Sequence, residues 1–240
     1  MSNNQRDKQL YLIPVPLSAD TRPEDVLPQS ALQAVREIKC FFVENIRSAR
    51  RFLKSVDRDI DIDALEFHII DEHTTIKDLT ELREQLLRHS IAAVISEAGC
   101  PAVADPGSNL VAIAIGEGYA IKPLVGPSSI ILGLMASGFN GQSFTFHGYL
   151  PHEADKRKKH IREMAHAVAV ANQTQIFIET PYRNNKLIAE LASLLPGNIK
   201  LCVASNLTSP LQNVEVLTAS QWLKAQYDYS KVPTIFLIGN

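Results

Sequence analysis

Short apolar runs alternate with helix-patterned stretches along the first half of the chain, and this alternation constrains the fold more than any other feature. Leu10–Pro16, Cys40–Glu44, Phe67–Asp71, Ala92–Ser96 and Ile121–Val125 read as strands. Between them lie helical patterns at Gln29–Lys39, Asn45–Val56, Thr75–His89 and Ser108–Glu117. A β-rich run that repeatedly gives way to a helix predicts a mainly parallel sheet with helices on its faces.

The second half differs. Ser143–Tyr149, Gln175–Glu179, Lys200–Ala204, Val214–Thr218 and Pro233–Ile238 are strand-like. Short connections between the last three suggest antiparallel pairing of each with the next, and hence a mixed sheet. Helices are expected at Ser129–Ser137, Glu153–Ala171, Tyr182–Leu195 and Ser220–Gln226. The expected organisation is two α/β domains, 1–125 and 126–240. At 240 residues and 45% hydrophobic content, each half can bury a core. Pro123 to His152 contains no Asp, Glu, Lys or Arg, but Gly126, Pro127, Gly133, Gly138 and Gly141 interrupt it too often for a membrane span. That segment is expected to be buried on several sides where two domains meet.

The net charge of −2 offers no global attraction for nucleic acid, so any such surface must be local. Two basic runs qualify. Arg47, Arg50, Arg51, Lys54 and Arg58 follow one helix, and Lys156, Arg157, Lys158, Lys159 and Arg162 open another; either offers phosphate contacts or is a solvated helix face. Cys40, Cys100 and Cys202 are widely spaced, with no C-x-x-C and no histidine at ligand spacing. Neither a disulfide framework nor a metal site is expected. Cys40 and Cys202 read as core. His68, His73 and His147 show no partner at catalytic spacing and read as structural or solvated. Ser2–Lys8 lacks the apolar centre of a signal peptide, so a cytoplasmic protein is expected.

The segment Ile95–Gly107 sits between a strand and a helix and packs two glycines and two prolines together. Glycines let backbone approach a ligand, and prolines fix a loop before the ligand arrives. Asp105-Pro106 also reads as an ordinary helix start, with an Asp N-cap and Pro in the first turn. In open parallel sheets ligands gather beyond the carboxyl ends of strands. Five turns fit that geometry: Pro14–Pro16, Glu44–Arg47, Glu97–Gly107, Gly126–Ser129 and Glu179–Arg183. Gly126-Pro127-Ser128-Ser129 opens an apolar helix and offers free N–H groups to a polar ligand, or Ser128 simply caps that helix. There is no G-x-x-x-x-G-K-[ST], and the nearest approach to G-x-G-x-x-G, from Gly116, ends at Ile121. Kinases and ordinary dinucleotide enzymes are unsupported.

Leu10–Pro16, Ile95–Gly107, Val125–Ser129, Phe146–Pro151 and Ile178–Arg183 together resemble the motifs of the tetrapyrrole methylase superfamily, most closely its small-subunit ribosomal RNA cytidine-2′-O-methyltransferase branch. The resemblance implies two α/β domains, S-adenosylmethionine (SAM) in the cleft between them, a homodimer and a ribosomal RNA substrate. A tetrapyrrole or other small-molecule acceptor, and a catalytically weak SAM- or RNA-binding protein, are the alternatives. Carried over by resemblance, cofactor contacts fall on Pro16, Ala98, Gly99, Cys100, Val103, Ser128, Ser129, Ile178, Glu179, Asn206, Pro233 and Thr234. SAM needs backbone donors, small hydroxyls and apolar walls rather than a phosphate cradle.

The chain departs from that branch in two turns. Pro16-Leu17-Ser18-Ala19-Asp20 replaces the usual Pro-Ile-Gly-Asn-Leu, and Glu44-Asn45-Ile46-Arg47 replaces Glu-Asp-Thr-Arg. The loop's usual Asp and Thr stand here as Glu97 and Cys100. Asn cannot take a proton near neutral pH, so a base at position 45 would be lost. Glu44, Glu97 and Glu179 end strands, and Arg47 and Arg183 offer anion contacts. Glu179, Glu44 and Arg47 are the candidate catalytic residues.

Overall fold

In the computed structural model, residues 8–70 and 76–240 are described. His73, the polar stretch up to Asp7, Asp71 at the end of an expected strand and Thr75 at the start of an expected helix lie outside the described residues. Met1–Ser128 and Ser129–Asn240 form two compact units.

The first unit is a parallel five-stranded sheet in the order β3-β2-β4-β1-β5. Its strands are β1 (Gln9–Ile13), β2 (Cys40–Val43), β3 (Glu66–Ile69), β4 (Ile91–Ile95) and β5 (Ala120–Pro123). Each lies within two residues of its sequence expectation at most ends. Full burial of Cys40, Phe41, Phe42 and Val43 explains why β2 reads as a continuous apolar run rather than an alternating one. Helices α1 (Pro23–Val26), α2 (Gln29–Glu37) and α3 (Ile46–Val56) follow β1 and β2. Ala31, Leu32 and Val35 of α2 and Ala49, Phe52 and Leu53 of α3 close one core with Phe41 and Ala93. Helices α4 (Ile76–Leu87) and α5 (Ser108–Gly116) follow β3 and β4. Their residues Leu82, Leu86, Leu110 and Ala114 close a second core with Leu10, Phe42 and Val94.

Two cores on opposite faces fix the topology that matters for ligand binding. The connections leaving β1 and β2 cover one face, and those leaving β3 and β4 cover the other. β1 and β4 are neighbours, so the chain leaves them toward opposite faces, and the crevice so opened at their carboxyl ends is the topological switch point.

The second unit holds a mixed sheet, β6-β7-β10-β8-β9. Its strands are β6 (Phe144–Tyr149), β7 (Thr174–Ile178), β8 (Lys200–Ser205), β9 (Asn213–Thr218) and β10 (Thr234–Gly239). β6 and β7 are parallel, whereas β10 is antiparallel to both β7 and β8. β9 pairs with β8 as expected, but the expected β9–β10 pairing does not form: β10 inserts between β7 and β8. Ile235 to Gly239 of β10 are all buried, in keeping with its central place in the sheet. Helices α7 (Ala154–Ala171), α8 (Asn184–Leu194) and α9 (Ala219–Trp222) pack with Phe177, Val203 and Phe236 into one core. Helix α6 (Ser129–Ser137) packs on β10, where Gly133 fits against Ile235 and Leu237.

The uncharged segment is less enclosed than expected. Val125, Met135 and Tyr149 are largely exposed in the single chain. Among the described residues, no helix is long and apolar enough to cross a membrane.

Candidate functional site

At the switch point of the first unit, three turns are drawn together. Val15 and Gly99 exchange backbone hydrogen bonds, both 2.9 Å, as an antiparallel bridge between the turn after β1 and the loop after β4. Ser96 Oγ donates to the Gly99 carbonyl at 3.1 Å, and Cys100 Sγ donates weakly to the Pro127 carbonyl at 3.4 Å. Gly99 has φ +77°, and a Cβ there would lie 3.3 Å from Leu17 Cδ2 and 3.6 Å from Pro127 O. A side chain at this position would therefore be both strained and crowded. Gly126 is as constrained, because an added Cβ would fall 2.2 Å from Pro14 Cβ. Pro16, Ala98, Gly99 and Cys100 are thus neighbours of one crevice, with Ser128 directly after Pro127.

The loop carries strain. Ala102 and Ala104 adopt left-handed backbone, with φ 65° and 57°, a conformation costly for residues bearing a Cβ. Asp105 helps to hold it. Its Oδ1 accepts from Gly107 N at 3.0 Å and Ala102 N at 3.5 Å, while the N-cap of α5 is Gly107. The Asp-Pro helix start expected from sequence is therefore corrected: Asp105 braces the loop two residues before the cap. Val103 is exposed on the same loop.

Carboxylates converge beside this loop. Glu44, after β2, shares a hydrogen bond with Asp105 and accepts weakly from Glu97 N at 3.4 Å. Burial, followed by the hydrogen bond and charge of Asp105, pushes the Glu44 carboxyl up to about 7. Ser48 Oγ donates to Glu97. Position 45 is resolved in structural terms. Asn45 is the N-cap of α3, and its Oδ1 accepts from Arg47 N at 2.8 Å and Ser48 N at 3.2 Å. Its oxygen is committed to orphan helix amides, a task Asp performs equally well. Arg47 is exposed in the first turn of α3, and the structure gives it no place in the carboxylate group.

A cleft of about 880 Å³ adjoins Glu97 and Ala98 and is lined by the turn after β1, by α3 with Arg51 and Lys54, and by the turn after α3 with Arg58. Arg36 in the same lining is tied to Asp57 at 2.7 Å. Arg50 instead lies over the Phe67 ring.

In the second unit, the remaining candidates gather at one end of the sheet. Ile178 pairs with Ile235, Thr234 pairs with Ser205, and Asn206 N donates to Pro233 O at 3.0 Å. Glu179 is only 6% exposed. Its carboxylate accepts from Thr180 N at 2.8 Å and faces Arg183 at 3.3 Å, and Arg183 also contacts His152 at 2.8 Å. Asn184 was not singled out by sequence. Fully buried, it ties α8 to the β10 entry through Nδ2 contacts with Tyr229 O, Val232 O and Thr234 Oγ1. The second basic run is corrected in part: Arg157 is buried, bonds Glu190 at 2.9 Å and donates to two backbone carbonyls, while Lys156 pairs with Glu153. His68 and His147 are not partnerless either. His147 contacts Gln175 at 2.7 Å and His160 at 3.1 Å, and His68 faces Glu66 at 2.7 Å.

Comparison with known proteins places this geometry. The chain is 27% identical to the ribosomal RNA small subunit methyltransferase I of Vibrio cholerae over 232 residues, which cover 95% of this chain and 76% of that protein. It is 31% identical to the protein of the same name from Halalkalibacterium halodurans, covering 86% of this chain and 68% of the relative. A Streptococcus pyogenes relative of that name is 32% identical, but only 56% of its length is matched. Among solved structures, the methyltransferase CobJ superposes with a TM-score of 0.66 at 17% identity, covering 97% of this chain and 94% of that one. Uroporphyrin III C-methyl transferase from Thermus thermophilus gives a TM-score of 0.60 at 13% identity, with 97% of each chain covered. Those two likenesses establish the fold. The model of the tetrapyrrole (corrin/porphyrin) methylases matches residues 10–222, and with a match of that extent the chain belongs to this family.

Proposed function

We propose that this methyltransferase takes its methyl group from SAM and delivers it to a ribosomal RNA hydroxyl, as a cytoplasmic homodimer. The observation that carries the reading is the Val15–Gly99 bridge at the switch point, which aligns the first-unit residues assigned to the cofactor. The fit is chemical as well as positional. Ala98, Gly99 and Cys100 offer little side-chain bulk and several backbone groups, which suits a nucleoside with an amino-acid tail. In the second unit, Ile178, Glu179, Asn206, Pro233 and Thr234 cluster at one sheet end, as a shared ligand requires. The relatives named ribosomal RNA methyltransferases support the acceptor class. Exposed Ile131 and Met135 on α6 support a second copy.

SAM supplies a methyl carbon already activated by its sulfonium. The chain must align the acceptor and receive its proton. Glu44 suits the second task, because a carboxyl near 7 is a competent base at neutral pH. Arg51, Lys54 and Arg58 suit RNA phosphates, with Glu97 and Ser48 at the edge of the same cleft. Glu179, held by Arg183 and Thr180, is better placed to anchor the cofactor than to move a proton.

The test is calorimetry with SAM, followed by labelled-methyl transfer to small ribosomal subunits and, in parallel, to a tetrapyrrole precursor. Transfer to the subunit RNA is expected. Transfer only to the tetrapyrrole would replace the acceptor, and binding without transfer to either would leave a SAM-binding protein. Sedimentation of the purified chain tests the dimer.

A further inference from the structure

We propose that Cys40, His68 and His89 form a site for a divalent transition metal, zinc by preference, in the first unit. Cys40 opens β2 and Glu66 opens β3, and the two are paired in register. His68 follows two residues later on the Glu66 face of the same strand. His89 arrives from the turn between α4 and β4. Three donor side chains from three separate segments therefore meet at the amino-terminal end of the sheet, with Glu66 beside the two histidines. This is the end opposite Glu44 and the loop after β4, so the proposal stands apart from the methyl-transfer reading.

The Cys40 sulfur and a ring nitrogen of each histidine all lie within 4.8 Å of one another. Tetrahedral zinc holds sulfur and nitrogen ligands roughly 3.3–3.6 Å apart, so closing the group takes shifts of about 1 Å. Glu66 Oε1 is 2.7 Å from His68 Nε2, and Oε2 is 3.1 Å from His89 Nε2. Both nitrogens are buried and make no hydrogen bond of full geometry, with the Glu66 carboxylate as the polar group facing each of them. As a hydrogen-bond network the arrangement leaves two nitrogens unsatisfied. A shared cation would satisfy them.

The surroundings hold the ligands in place. The His68 ring packs on Phe42 with centroids 5.1 Å apart, and the Tyr119 hydroxyl donates to the carbonyls of Leu86 and His89 at 2.6 and 2.7 Å. Cys40 is fully buried, in a position that shields a metal-bound thiolate from oxidants. One sulfur and two imidazoles form a donor set that zinc accepts, leaving its fourth position to water or to a shift of the neighbouring Glu66 carboxylate. Such an ion would tie the starts of β2 and β3 to the exit of α4.

The full chain, stripped with chelator, is titrated with cobalt(II) and then with competing zinc. Expected are about one equivalent bound, the intense visible bands of a tetrahedral site and a sulfur-to-cobalt charge-transfer band. Cys40→Ser should lose the charge-transfer band, and His89→Ala should weaken binding about tenfold or more. Circular dichroism checks each variant's fold, and His89→Ala, in a partly exposed turn, serves if Cys40→Ser does not fold. Substoichiometric cobalt, a pale octahedral spectrum, or isotherms unchanged in the folded variants would overturn the site.

Discussion

Replacing Glu44 by Gln should stabilise the first unit at alkaline pH and leave it nearly unchanged in acid. The Glu44 carboxyl stands at about 7, against an ordinary value of 4.5, because burial and Asp105 disfavour its charged form. Below about pH 4.5 both the folded and the unfolded chain keep the proton, and the shift costs nothing. Between 4.5 and 7 the unfolded chain releases the proton while the folded one retains it, so stability falls as pH rises; above 7 the loss is complete. Taken at face value, that displacement corresponds to about 3.4 kcal/mol. Glu44 is only partly buried and its charge is partly screened, which reduces the expected effect to about 1 kcal/mol.

Gln is a good mimic of the protonated acid. Its amide N–H can donate to Asp105, and its oxygen can accept from Glu97 N. The stability difference, Glu44→Gln minus wild type, should grow by about 1 kcal/mol between pH 5 and pH 8.5 in urea unfolding. The only tryptophan, Trp222, reports on the second unit, so the readout must be circular dichroism or hydrogen exchange of β2 and β4 amides. A difference independent of pH, or one that shrinks toward pH 8.5, would refute the Glu44–Asp105 contact as the cause. The same variant should keep SAM affinity and lose methyl transfer if Glu44 is the base.

The other predictions address the turns around the crevice. Asn45→Ala should cost about 1 kcal/mol by uncapping α3, whereas Asn45→Asp should keep or slightly raise stability and leave methyl transfer unchanged; a large gain in transfer would show that position 45 acts chemically. Gly126→Ala should destabilise the first unit by about 1–3 kcal/mol in chemical unfolding, because Pro14 is a rigid ring that cannot yield to a Cβ placed 2.2 Å away. Ser128→Trp should abolish SAM binding in calorimetry with the fold intact, and unchanged affinity would remove Ser128 from the cofactor site. Arg51→Ala and Lys54→Ala should each flatten the salt dependence of RNA binding by about one counterion, against no change if the α3 basic run is only a solvated face.

Strands and helices were legible in this sequence because their signals are local. Apolar periodicity and Pro or Gly punctuation put most element ends within two residues of the observed ones, and even Ser129–Ser137 was bounded correctly from its flanking turns. Pairing is another matter: the pattern of β10 states that it is buried on both faces, yet nothing in it says that its neighbours are β7 and β8 rather than β9. The same limit governs side chains. A charged residue on a helix reads as solvated unless its partner lies nearby in sequence, so Arg157, whose partner Glu190 comes from another helix, was grouped with a surface run. Asp105 read as a helix cap because Asp-Pro usually is one, and only the loop's left-handed alanines reveal what it braces. Glu44 and Asp105, like Cys40, His68 and His89, become a group only through strand order, since β2 lies between β3 and β4. What the sequence does carry is the placement of its glycines: Gly99 and Gly126 mark where backbones must touch, and those contacts draw three turns to the switch point where β1 and β4 part.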